Sequence, residues 1–223
     1  MEILEQFFAK FNSVHFYKKG EIILRADENP PGVFFLKKGF IRLYSISPEG
    51  QEITFNVFKP DSFFSMMWAI GGSANAYFFE AMTAVEVWRA PKNKFLEFIK
   101  KEPEVLFDLT RRVLLGLNGL LTEIEYLLFG NANNKVASIL FILAKRFGQK
   151  KNNGDITVQL PLTHKNIASL VGLTRETASL EIKKLENEKI ITHRKRLLVI
   201  KNLKRLKKEL LISTRQQPSV NIL

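Results

Sequence analysis

LTHKNIASLVGLTRETASLEIKKL, from Leu162 to Leu185, decides the reading of this chain. Thr163 stands where a side-chain oxygen can cap a helix, and Ile167, Ala168 and Val171 then fall on one helical face. Gly172 supplies a turn. Thr174 can cap a second helix anchored by Ala178, Ile182 and Leu185, so two short helices joined by a glycine form a helix-turn-helix. The other face of the second helix carries Arg175, Glu176 and Ser179, with Lys183 one turn further on. A guanidinium matches guanine O6 and N7, and a carboxylate can accept from cytosine N4, so Arg175, Glu176 and Ser179 are the expected base readers. Thr163, Lys165, Thr174, Thr177 and Lys183 are expected on phosphates.

Working outward, Ile190 to Ile200 reads as a β-hairpin with four basic or potentially basic residues, His193, Arg194, Lys195 and Arg196, at its tip, a wing suited to phosphate. Charge agrees. The chain has 223 residues and a formal net charge of +12, but residues 1–130 carry −1 and residues 131–223 carry +13. Phenylalanine divides the other way, with 17 of 19 before residue 130. The expected domains are therefore a nearly neutral 1–102, a helix over 103–130 and a basic 131–223 built for a polyanion. The closing KNLKRLKKELL reads as a short basic helix or frayed tail.

Upstream, residues 14 to 90 read as short strands. Turn signals such as Lys18-Lys19-Gly20, Lys37-Lys38-Gly39 and Pro48-Glu49-Gly50 punctuate β-branched and aromatic runs. Lys18-Lys19-Gly20-x-Ile22-x-Leu24 matches Lys37-Lys38-Gly39-x-Ile41-x-Leu43, as if two hairpins shared one turn. Strands at this spacing favour a small antiparallel barrel or roll.

From Pro103 to Phe129 the period turns helical. Leu106, Leu109, Val113, Leu117, Leu120, Ile124 and Leu127 recur at an average of about 3.5 residues, the coiled-coil period. A second row, Phe107, Leu114, Leu121 and Leu128, runs beside them. This helix is either the seam of a symmetric dimer or a single buried helix; Gly116 and Gly119 within it suit a close approach of two backbones. Gly130 to Asn134 breaks it and caps the next helix, which runs to about Gly148 with Val136, Ile139, Leu140 and Leu143 inward. Gln149 to Asp155 is expected to be a polar loop.

With no cysteine, the chain excludes disulfides, thiolate metal sites and cysteine nucleophiles. His15, His164 and His193 form no ligand pattern, so neither a metal nor a catalytic set is expected. The acidic start resembles no secretory signal, and the longest apolar run is short of the roughly 20 residues that span a bilayer. A soluble cytoplasmic protein without a membrane partner follows as the expectation.

Taken together, the chain resembles the CRP/FNR superfamily of transcription regulators, most specifically in Leu170-Val171-Gly172-Leu173-Thr174-Arg175-Glu176-Thr177, with Glu102-Pro103 and Asn131 at the expected helix start and hinge. The resemblance implies an α+β fold: an antiparallel β-roll of double-stranded β-helix, cupin-like type, a dimerisation helix and a winged helix-turn-helix. It implies double-stranded DNA, a second copy of the chain and RNA polymerase as partners. Leu180 stands where members commonly place another arginine. The cyclic-nucleotide cassette also departs: Ser65-Met66 and Asn75-Ala76 stand where cyclic-AMP binders carry Gly-Glu and Arg-Ser, and Leu120 and Leu121 replace hydroxyls. That argues against cyclic AMP and names no cofactor. Met66, Met67, Asn75, Tyr77, Leu120 and Leu121 are either the lining of an effector pocket or filled core. A cupin-type metal enzyme and a non-specific nucleic-acid-binding module are the alternatives.

Overall fold

The computed structural model describes residues 2–194 and 197–210. Lys195 and Arg196, expected at the wing tip, lie outside the described residues, as does the tail from 211 to 223. The chain divides into two compact units, residues 1–111 and 112–223.

The first unit is an eight-stranded roll. Its strands are β1 (Val14–Tyr17), β2 (Ile22–Leu24), β3 (Val33–Lys38), β4 (Ile41–Ile46), β5 (Glu52–Phe58), β6 (Phe63–Phe64), β7 (Phe78–Ala81) and β8 (Val85–Ala90). They form two four-stranded sheets, ordered β1-β8-β3-β6 and β2-β7-β4-β5, with antiparallel pairing throughout. This is the double-sheet roll of two Greek keys.

The repeated Lys-Lys-Gly turns serve it twice, though not as hairpins. Both Gly20 and Gly39 adopt φ +87°, the left-handed region open to glycine. Each passes the chain from the first sheet to the second, β1 to β2 and β3 to β4, so the two are equivalent corners. Turn chemistry reverses the chain locally, but the strand it delivers pairs with β7, far away in sequence. Gly39 is constrained further, because a Cβ there would meet the Ala84 carbonyl oxygen at 2.3 Å.

Alternation along β3 explains why so many phenylalanines are buried. Phe34 points between the sheets and stacks on Phe64 at 4.8 Å, and Phe64 stacks on Phe79 at 5.1 Å. Leu24, Leu36, Ile41, Leu43, Val85 and Val87 complete that core. Phe35 points the other way, into a second cluster with Phe7, Phe8, Phe95 and Ile99. Two helices that the sequence reading did not identify, α1 (Glu2–Ala9) and α3 (Lys92–Lys101), bring those partners. A short α2 (Met66–Ala69) interrupts what was read as strand and turn.

Helix α4 runs from Pro103 to Phe129 without a break. Leu109, expected in the dimer seam, is instead 3% exposed in the cluster around Phe7, Phe8 and Phe95. The period assigned it to a face without saying what covered that face. Leu106, Val113, Leu117, Leu120 and Ile124 are between 41% and 60% exposed, and the parallel row Phe107, Leu114, Leu121 and Leu128 between 58% and 73%. Leu127 is half-buried.

In the second unit Asn131 caps α5 (Ala132–Phe147) through a reciprocal pair with Asn134. Val136, Ile139, Leu140 and Leu143 are buried as expected. The expected polar loop is partly strand: β9 (Gly148–Lys150) pairs with β10 (Ile156–Val158), and the sheet continues through β12 (Leu197–Ile200) to β11 (Ile191–Arg194). Helices α6 (His164–Val171) and α7 (Arg175–Asn187) complete the winged helix, and α8 (Leu203–Lys208) follows the wing.

Candidate nucleic-acid interface

Thr163 and Asn166 cap α6 from both sides: the Asn166 amide donates to Thr163 Oγ1 at 3.1 Å, and the Thr163 amide donates to Asn166 Oδ1 at 2.9 Å. Two of the orphan amides at the helix start are thereby satisfied. Gly172 ends α6 at φ +64°, where a side chain would be strained. The chain then enters α7 through Thr174, whose Oγ1 accepts from the Thr177 amide at 3.2 Å. Behind these turns Ile167, Val171, Ala178, Ile182 and Leu185 are buried, so apolar contact fixes the two helices from beneath.

The outer face follows from that burial. Arg175, Glu176, Leu180 and Lys183 are exposed, and Ser179 is half-buried. Arg175, Ser179 and Lys183 are four residues apart, which places them on one stripe of the helix. Thr163, Lys165 and Thr174 are exposed and Thr177 half-buried, all around the adjoining helix starts. Helix N-termini present free amides and a positive dipole end, the arrangement that receives a phosphate oxygen. Glu181, by contrast, is only 8% exposed and engages Lys184 at 2.8 Å. On the wing strand β11, Arg194 is exposed.

Two functional candidates, His164 and Glu186, were missed by the sequence reading, and His193 was read only as part of the basic wing. His164 Nδ1 lies 2.8 Å from Ser179 Oγ, and His193 Nδ1 lies 2.7 Å from Glu186 Oε1. The two imidazoles are 5.9 Å apart, so α6, α7 and β11 meet in one polar cluster. Burial lowers the His164 pKa below its ordinary value, and His193, Arg175 and Lys183 act in the same direction against Glu186. The neutral ring is favoured. No spacing in the sequence signals these contacts, because each joins different elements.

In the roll, Ser65 of the altered cassette and the expected pocket residues Met66, Met67, Asn75 and Tyr77 are placed in different surroundings. Ser65 Oγ donates to the Gly32 carbonyl at 2.8 Å, and Asn75 Nδ2 donates to the carbonyls of Arg25 at 2.6 Å and Tyr77 at 2.9 Å. Met66 packs against the Phe7 and Phe8 cluster, Tyr77 against the inter-sheet core, and Met67 is 58% exposed. The four roll residues thus do not converge on one face. Leu120 and Leu121 are exposed on α4. Among the described residues no group of three or more His, Asp or Glu is placed to hold a metal ion, and no helix is long and apolar enough to cross a membrane.

Residues 14–102 match the cyclic nucleotide-binding domain family, and residues 134–209 match the Crp-like helix-turn-helix domain family. A global nitrogen regulator from a Nostoc species is 31% identical, over 84% of this chain and 85% of its own length. The transcriptional regulator SdrP of Thermus thermophilus is 30% identical, over 85% of this chain and 92% of its own. The chain belongs to the CRP/FNR family of transcription regulators. A crystal structure of a CRP/FNR regulator from Thermus thermophilus superposes with a TM-score of 0.71 at 28% identity, covering 88% of this chain and 97% of that one. Regulators of the CRP/FNR family bind DNA and function as dimers, and the family comprises regulators rather than enzymes. The roll is accordingly the family's cyclic nucleotide-binding domain, and the winged helix its helix-turn-helix domain.

Proposed function

We propose that two copies of the chain pair along the exposed rows of α4 and read an inverted-repeat operator, each inserting α7 into the major groove. The observation that carries this reading is the leading end of α7. Arg175 and Glu176 stand exposed in the first turn of a helix capped by Thr174 and anchored by Ala178 and Ile182. Arg175 would take a guanine edge, Glu176 a cytosine amine and Ser179 either kind of partner. Thr163, Lys165, Thr174, Thr177, Lys183 and Arg194 would hold phosphates, with Lys195 and Arg196 beyond the described part of the wing. Leu180 offers only apolar contact, which suits a thymine methyl. Two-fold pairing requires half-sites about 34 Å apart, one turn of duplex.

The apolar face of α4 supports pairing, since exposed leucines at this spacing are costly in water and form a seam once doubled. The protein acts on DNA in the cytoplasm, and RNA polymerase is the partner through which a bound regulator alters transcription.

The residues of the roll do not fit a cyclic phosphate. Ser65 and Asn75, at the positions of the cassette, are engaged with carbonyls of the roll itself, so that Asn75 stands where a cation would be needed and Ala76 where a hydroxyl would be. Any effector of this roll is a different molecule from cyclic AMP.

Selection of bound duplexes from a random pool tests the reading. A two-fold symmetric consensus is expected; equal retention of all sequences at a fixed salt concentration would leave only a non-specific nucleic-acid-binding module.

A further inference from the structure

We propose that His164 is the positioning residue of Ser179 and thereby sets which base pair that hydroxyl accepts. This rests on the reading of α7 as the groove helix. A serine hydroxyl exposed on a helix rotates freely and can donate or accept, so by itself it discriminates little among base edges. In this chain the hydroxyl is held: His164 Nδ1 lies 2.8 Å from it, and Ser179 is half-buried against α6.

The imidazole offers one of two defined states to that oxygen. With the proton on Nδ1 the ring donates to Ser179 Oγ, which leaves the serine hydrogen to donate toward the groove. With the proton on Nε2 the ring accepts that hydrogen, and a serine lone pair faces the groove instead. In the second state the hydroxyl can only accept in the groove, and in the first it keeps its hydrogen and one lone pair; in both, the bond to the ring fixes the directions in which they point, and a base edge that does not meet them leaves a polar group unpaired.

The ring is itself located. His164 opens α6 directly after the Thr163 cap, and its imidazole lies 5.9 Å from that of His193, which is tied to Glu186 on α7 at 2.7 Å. A side chain on α6 that never reaches a base would therefore govern specificity on α7.

The test uses the full-length protein and a set of duplexes carrying every single base change in the selected operator. Ser179→Ala first identifies the base pair whose preference it erases. His164→Ala is expected to reduce discrimination at that pair by about three- to tenfold, the range of one neutral hydrogen bond, with other positions unchanged. His164→Asn is expected to restore it, because an asparagine amide can occupy the place of Nδ1. The double variant His164→Ala, Ser179→Ala should be no worse than Ser179→Ala alone. Equal weakening on all duplexes by His164→Ala, with no rescue by asparagine, overturns the proposal by making His164 merely structural. An unchanged profile in His164→Ala beside an erased one in Ser179→Ala overturns it as well. Should Ser179→Ala alter no position, the reading of Ser179 as a base contact fails, and this inference with it.

Discussion

Thr177 donates its backbone amide to Thr174 Oγ1 at 3.2 Å, and the two hydroxyls lie 2.9 Å apart. One threonine thus starts the recognition helix while the other holds the starter in place. Replacing Thr174 by alanine removes the cap and should cost about 1 kcal/mol of domain stability, read as a lower denaturant midpoint with an unchanged slope. Serine at the same position should recover most of the loss.

Arg175 and Lys183 lie two turns apart on one stripe, and different roles are expected of them. Arg175→Ala should relax the choice of base at one operator position by about 1–3 kcal/mol. Lys183→Ala should weaken all duplexes alike and reduce the slope of log affinity against log salt by about 0.9. Competition titrations at several salt concentrations separate the two, and uniform weakening by both variants would contradict the division.

Two leucines on α4 make a similar contrast. Leu117 is 51% exposed and Leu109 is 3% exposed. Leu117→Glu should convert a dimer to monomers in sedimentation while leaving each roll folded. Leu109→Ala should instead open a cavity and lower stability by about 2–5 kcal/mol, with the oligomeric state preserved in the folded fraction.

Asp155 accepts from Lys201 at 2.6 Å and from Asn153 at 2.9 Å. The bond from Lys201 is the largest cause holding its carboxyl below the usual carboxylate range. A pKa depressed in the folded state means that the contribution is present above the unfolded value, about 3.9, and is lost as pH falls through the lower folded one. Asp155→Asn should therefore be less stable at neutral pH and show a shallower decline in acid, as followed by circular dichroism.

The parts of the fold that were legible in the sequence are those fixed by local chemistry. Thr163, Gly172 and Thr174 each perform a task that few residue types can, and they lie within reach of the groups they satisfy. The strands β9 and β10 were opaque because three exposed residues, Gly148 to Lys150, carry no pattern and pair only once the sheet exists. The Lys-Lys-Gly corners were recognisable as turns, but which sheet receives the next strand is decided by β7 and β8, some forty to sixty residues away in the chain. Phe95 and Ile99, one turn apart, did carry a signal for α3 that the strand reading passed over. In the interface, the outward residues followed from periodicity, whereas His164 and Ser179 are fifteen positions apart and meet only through the packing of α6 on α7.

The end of the winged-helix unit is fastened to its beginning. Asn133 Nδ2 donates to the Glu209 carboxylate at 2.8 Å, and Asn134 Nδ2 donates to the Glu209 carbonyl at 2.8 Å. Asn134 belongs to the pair that caps α5, so the doorway through which α4 hands over the chain is latched by a residue beyond the wing. Anyone trimming or fusing this protein works on that latch: a truncation that removes Glu209 would disturb the entrance of the unit before it touched the groove-facing surface.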